Sequence, residues 1–498
     1  MKTKKFAVLL FTLILALGLF PMGVFAASTT VTPTSTASIT INNAVENDVL
    51  KAYKVVDITY NEASNHVSYA WNSAFADYFA GTTSYNDTAY TVEGFATLTD
   101  DSAELKNVLA GLPKYIADNN IDAAKTATVG EGGTATFANL AMGEYFIRPS
   151  STTSVYQLML QKIEPKVEED SEGNPHYVIE DVTFTAKKEE VTITKTADKT
   201  SVTKNEKVAY TIAVDIPTYS AEATDKTIYV SDLLPDGLTI DTASINVKID
   251  GADVNPTAYN LDTTATKDYT FKLSVSTQQY TNSWTNQGGN KLVITYTATL
   301  NNDNTTEVNV IETNTATFDY SFYPYVENSH KQKTDKVDVT TFAIKIDKYV
   351  AGSHATKLAD AKFDLYRTAT DAEITAGGTE TIPHTTINGI KLESNVVTNA
   401  SGVATFEKYE ANGTKYDYYL VETQAPHGYN ILAEAVKVNF TDAEATNGVY
   451  TVKVPNSSGI TLPITGDEGI VIFTVIGIAF MGGAVILFVL FHKKAKAN

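Results

Sequence analysis

The chain has 498 residues, 58 acidic against 38 basic, a formal net charge of −20 and no cysteine. An acidic surface of this size argues against nucleic acid or anionic lipid as partners, and without cysteine there is no disulfide, thiolate nucleophile or cysteine metal site. Seven scattered histidines show no triad or metal spacing, so no metal, no cofactor and no hydrolase site are expected.

Lys2, Lys4 and Lys5 precede an apolar run from Phe6 to Phe20, and Val24, Phe25 and Ala26 form a small-residue cleavage site. Residues 1–26 therefore read as a secretory signal peptide. Export leads to a compartment where disulfides persist, so any covalent staple here must use other chemistry. Threonine, valine and 28 tyrosines give a β composition, and the remaining length suits about three domains of ordinary size.

The first domain is expected over 27–188, with strands at Ser38–Asn42, Leu50–Tyr60, Thr134–Leu140 and Tyr145–Arg148. Two helical patches interrupt them, one at Ser73–Ala80 and one beginning near Asp101, where Asp101 and Glu104 form a capping-box pair ahead of Leu105, Val108 and Leu109. The charged stretch Glu168–Asn174 reads as a solvated loop. The second domain, 189–327, shows only short alternating runs between turn residues: VTITK, VAYTIAV, TIYVSD, LVITYTATL and NTATFDY. That spacing predicts a β-sandwich. A polar linker is expected over 328–341, and a second sandwich over 342–461, carrying KFDLYR, VATFEKY, YYLVETQAPHGY and AVKVNF.

The end, 462–498, combines LPITG at Leu462–Gly466, 23 uncharged residues from Gly469 to Phe491, and Lys493, Lys494 and Lys496. At about 1.5 Å per residue the apolar run can cross a hydrocarbon core of about 30 Å as a transmembrane helix, and the lysines orient it with the C-terminus in the cytoplasm. Pentapeptide, span and basic tail resemble the cell-wall sorting signal of Gram-positive surface proteins. The resemblance implies that a sortase recognises Leu462 and Pro463, cuts between Thr465 and Gly466, and hands the threonyl group to an amine.

Strand parity locates candidate chemistry, since alternate residues share a face. In the second domain Lys195 shares a face with Val191 and Ile193, Asp232 with Ile228 and Val230, and Asn314 with Ala316 and Phe318. In the third, Lys348 goes with Ile344 and Ile346, Glu422 with Tyr418 and Leu420, and Asn456 with Val452 and Val454. Lys345 is the alternative to Lys348. A lysine, an acid and an amide thus point inward twice, and groups that cost several kcal/mol to bury alone must satisfy one another. They make either an ion pair with a hydrogen-bonded amide or, once burial has neutralised the amine, a lysine–asparagine amide bond formed with loss of ammonia.

YYLVETQAPHGY is similar to the E-box of Gram-positive backbone pilins and of collagen-adhesin B-type domains. KFDLYR, SDLLPDGL and NTATFDY resemble further segments of these pilins. The resemblance implies mostly β, tandem immunoglobulin-like or collagen-adhesin B-type sandwiches, the first domain with added short helices. It implies isopeptide bonds Lys195–Asn314 and Lys348–Asn456, promoted by Asp232 and Glu422. In the first domain the comparable run, Tyr145, Ile147, Pro149, has proline where the E-box has glutamate. The family's polymerising lysine lies in a VYPKN-like motif before the second domain. Here VTFTAK keeps only the lysine, leaving Lys187, Lys188 and, in EPK, Lys166 open. The expected function is the major, non-enzymatic subunit of a covalent wall-anchored pilus. Its partners would be sortase, identical subunits, minor pilins and peptidoglycan. A wall-anchored adhesin or minor pilin with a host ligand is the alternative.

Overall fold

The computed structural model describes residues 29–458 except 100–101, 152–153, 285–290, 302–310, 411–415, 441–443 and 447. The signal peptide, the LPITG pentapeptide and the apolar span lie outside the described residues. Among those described, no helix is long and apolar enough to cross a membrane.

The first unit is built on the strand Val49–Asn61, flanked by His66–Trp71 and Gly143–Ser151, with Met159–Ile163 beyond. A smaller sheet places Thr36–Asn42 between Ala135–Ala141 and a parallel Val182–Thr185. Alternation works as expected in SITIN, where Ile39 and Ile41 are buried. The first helical patch is only one turn, Ala76–Phe79, held by Phe79 stacking on Trp71 at 3.8 Å between ring centroids. The second is Ala103–Ala110, and its cap is Ser102 rather than Asp101: the Ser102 hydroxyl accepts the Leu105 N–H at 3.1 Å. A hydroxyl one residue later moves the helix start by one, so Glu104 falls at the second helical position, short of the third that a capping box needs. Residues 168–174 turn a hairpin between Lys166–Glu169 and Pro175–Ile179, and Asp170 closes it by accepting the N–H groups of Glu172 and Asn174, both at 2.8 Å.

In the second unit the described residues form two five-stranded sheets over one core. One sheet contains Ile193–Ala197, Lys207–Asp215, Lys291–Leu300 and Leu238–Ile249, and the other contains Phe271–Val275, Ile228–Leu233 and Ile311–Ser321. Residues 328–341, expected as a linker, instead supply the edge strand His330–Thr340, paired with Ile311–Ser321 along its whole length. Lys331, Lys336 and Asp338 face solvent, Lys333 and Asp335 are half-buried, with Lys333 Nζ donating to the Val191 carbonyl and Asp335 accepting the Lys195 N–H at 2.7 Å, and Val339 is fully buried. A charged edge strand of this kind discourages pairing with other chains, and its polarity is what disguises it as linker. Thr341 alone then separates it from the next strand, Phe342–Val350.

The third unit again faces two five-stranded sheets across one core among the described residues. Its first strand, Phe342–Val350, runs parallel beside its last, Val449–Asn456, and Lys362–Thr368 and Tyr418–Gln424 pair in the facing sheet. Contacts join successive units. Lys188–Glu190 pairs with Ser154–Tyr156, Arg148 lies 5.5 Å from the centroids of both Tyr53 and Tyr323, and Lys204 N–H donates to the Lys408 carbonyl at 2.9 Å.

Candidate functional site: two buried lysine, carboxylate and asparagine clusters

In the third unit Val350 sits opposite Asn456 and Lys348 opposite Val454 on the paired first and last strands. Pleating turns Lys348 and Asn456 inward, and Glu422 reaches them from the facing sheet. Lys348 Nζ donates to Asn456 Oδ1 and lies 3.1 Å from Glu422 Oε1. Asn456 Nδ2 donates to Glu422 Oε1 at 2.9 Å and to Oε2 at 3.1 Å, and the Leu432 N–H donates to Oε2 at 2.8 Å. One carboxylate oxygen therefore touches both the amine and the amide nitrogen. Lys345 projects from the other face of its strand and is only half-buried, so it takes no part.

The second cluster bridges the two sheets of its unit. Lys195 stands on the first strand of one sheet, Asp232 and Asn314 on neighbouring strands of the other. Lys195 Nζ donates to Asp232 Oδ2, and to the Tyr296 hydroxyl at 2.9 Å. That hydroxyl donates to Asp232 Oδ1 at 2.8 Å and accepts from Asn314 Nδ2 at 2.7 Å. Tyr296 was missed in the sequence. The signal was there in LVITYTATL, where it alternates inward with Ile294 and Ala298, but an inward tyrosine is ordinary core material.

All six predicted residues are at most 4 % exposed. Burial disfavours charge, so it lowers the Lys195 and Lys348 amines from the usual lysine value and raises the Asp232 carboxyl, in each case against the pull of the partner. In the first unit no such cluster forms among the described residues. Pro149 is buried opposite Leu50, and no lysine there is buried.

The three candidate polymerising lysines differ in access. Lys187 is exposed and lines a groove of about 560 Å³ shared with Lys106, Leu109, Leu158 and Tyr325. The Lys188 side chain is 10 % exposed and lies 3.2 Å from Glu190, whereas Lys166 is open to solvent with Glu180 at 2.7 Å.

Residues 342–455 match the SpaA prealbumin-like fold domain, and residues 454–496 match the LPXTG cell wall anchor motif. Over its length the chain is similar in structure to the T6 backbone pilin of serotype M6 Streptococcus pyogenes: TM-score 0.57, 19 % identity, 88 % of this chain and 92 % of that one. It is also similar to the full-length major pilin SpaD of Corynebacterium diphtheriae: TM-score 0.50, 16 % identity, 86 % and 99 % of the two chains. The chain has the backbone-pilin fold and a Gram-positive wall anchor. It is 31 % identical over 154 residues to the type 1 fimbrial subunit of Actinomyces viscosus, a stretch that spans 28 % of that protein. The wall anchor locates this pilin-fold chain at the cell surface. Its prealbumin-like domain holds Lys348 and Glu422, with Asn456 one residue past the matched segment.

Proposed function

We propose that this chain is the major shaft subunit of a covalently polymerised pilus, stiffened by isopeptide bonds Lys195–Asn314 and Lys348–Asn456. The observation that carries this reading is the third-unit cluster, where a buried amine, a carboxylate and a side-chain amide meet across the first and last strands. The neutral Lys348 Nζ attacks Asn456 Cγ, the Cγ–Nδ2 bond breaks, and one proton travels from Nζ through Glu422 Oε1 to Nδ2, which leaves as ammonia. Nothing else is consumed. Each bond forms once, so the chain is not an enzyme in the turnover sense.

Polymerisation follows from the same chemistry carried out by another protein. Sortase opens Thr465–Gly466, and the threonyl group passes to Lys187 of the next subunit. Exposure beside a groove favours Lys187 over the nearly buried Lys188, with Lys166 as the remaining candidate. A wall-anchored adhesin or minor pilin is the second reading, favoured by the absence of tyrosine and proline in VTFTAK. An immunoblot of wall extracts separates them: a ladder of high-mass species means shaft, and one discrete band means anchored monomer.

A further inference from the structure

The two clusters solve one problem with different parts. In the third unit the glutamate Oε1 contacts both the attacking and the departing nitrogen, at 3.1 and 2.9 Å. In the second unit the acid is an aspartate, one methylene shorter, and its hydrogen bonds run to Lys195 and Tyr296. The atom that touches both nitrogens there is the Tyr296 hydroxyl oxygen, 2.9 Å from Lys195 Nζ and 2.7 Å from Asn314 Nδ2.

We propose that Tyr296 is the proton relay of the second unit, a catalytic residue that takes over the half of the glutamate's task that Asp232 is too short to perform. This rests on the reading of Lys195, Asp232 and Asn314 as a bond-forming trio. As Lys195 Nζ adds to Asn314 Cγ, the tyrosine oxygen accepts one proton from Nζ. Its own hydroxyl proton, held by Asp232 Oδ1 at rest, passes to Nδ2. The Cγ–Nδ2 bond then breaks and ammonia leaves, so tyrosine and aspartate end as they began and only ammonia is lost. Asp232 holds the positive charge that develops on Nζ. Burial raises the phenol well above its ordinary value, so it enters the reaction protonated. The ring is fixed by stacking on Tyr210 at 5.3 Å and by an edge contact with Phe271 at 5.2 Å, neither of which needs the hydroxyl.

The test is intact mass of the secreted chain, sampled over time after synthesis, for the wild type, Tyr296→Phe, and Tyr296→Phe with Asp232→Glu. The wild type should lose two ammonia masses. Tyr296→Phe should keep the third-unit loss, an internal control, and lose or slow the second-unit event by about 100-fold or more, in the range general acid–base groups contribute. Restoring the methylene with Asp232→Glu should bring the second loss back, which a merely structural tyrosine would not explain. Two losses at the wild-type rate in Tyr296→Phe overturn the relay and leave the trio standing. No loss at all in the wild type overturns the trio itself. If the second unit becomes protease-sensitive in both variants, Tyr296 is a packing residue and the relay is likewise overturned.

Discussion

Lys195 and Lys348 are the residues on which the fold takes its largest risk, because an unpaired ammonium at full burial is costly. The proposed reaction would remove that risk by turning each amine into an amide. Residues 28–461 should therefore weigh about 34 Da less than their sequence, about 17 Da for each ammonia. Glu422→Ala should restore one loss and Asp232→Ala the other, as read by intact mass. Glu422→Ala also leaves Lys348 buried without its carboxylate, a destabilisation on the order of 3–5 kcal/mol in a melt of the third unit. The full sequence mass in the unmutated chain would mean a simple ion pair. A separate residue-scale device sits at one end of the second unit, where His330 lies between Asp319 and Asp225. These carboxylates overcome burial and raise the imidazole to about 9, and Asp225 in turn is held down at about 2. A raised folded value means that the imidazolium's contribution is complete below the ordinary value near 6.5 and is lost as pH rises through about 9. His330→Gln should lower the melting temperature of this unit at pH 6, by an amount equivalent to about 2–3 kcal/mol, and the difference from wild type should shrink by pH 10. An equal difference at both pH values would mean that the charge on His330 is irrelevant.

At the scale of strands, what the sequence made legible is what alternation governs. Lys348 was separable from Lys345 because Ile344 and Ile346 mark the inward face, and the same parity located Asp232 and Asn314. Legibility failed where one face of a strand says little. In His330–Thr340 the exposed positions, Lys331, Gln332, Thr334, Lys336 and Asp338, are all charged or polar, so an edge strand looked like a linker. It failed again at Ser102, since capping is decided by where one side chain turns back on the helix. The short distance from the second unit to the third, a single residue at Thr341, was hidden by the same misreading. These elements set how force would travel. Each proposed isopeptide bond would join the first strand of its unit to a late one, Lys348 and Asn456 lying 108 residues apart. Such a closure would be worth about 4–5 kcal/mol by the loop-entropy estimate used for disulfides. Pulling between residues 187 and 458 should give no long extension steps. Glu422→Ala should add one step of roughly 100 residues at up to ~3.5 Å each. A long step in the wild type would show that at least one of the two units is not closed covalently.

Taken as a whole, the molecule divides at Lys187 into a part before it and a part after it. With Lys187 as the junction, the first unit, where buried Pro149 stands at the position that in sequence compares with the E-box glutamate, would lie outside the path from Lys187 through Lys195, Asn314, Lys348 and Asn456 to the sorting motif. It needs no staple if load enters at Lys187. Lys187→Arg keeps the charge but removes the primary amine, so it should abolish the high-mass ladder while anchored monomer persists. Transfer of that phenotype to Lys166→Arg would relocate the junction and bring the first unit under load. The most direct measurement is mass spectrometry of peptides from purified wall polymer. The expected result is a branched peptide in which the Thr465 carbonyl is joined by an amide to Nζ of Lys187. Recovery of Thr465 solely on a cell-wall peptide amine, with no subunit-to-subunit junction at any lysine, would contradict the shaft assignment.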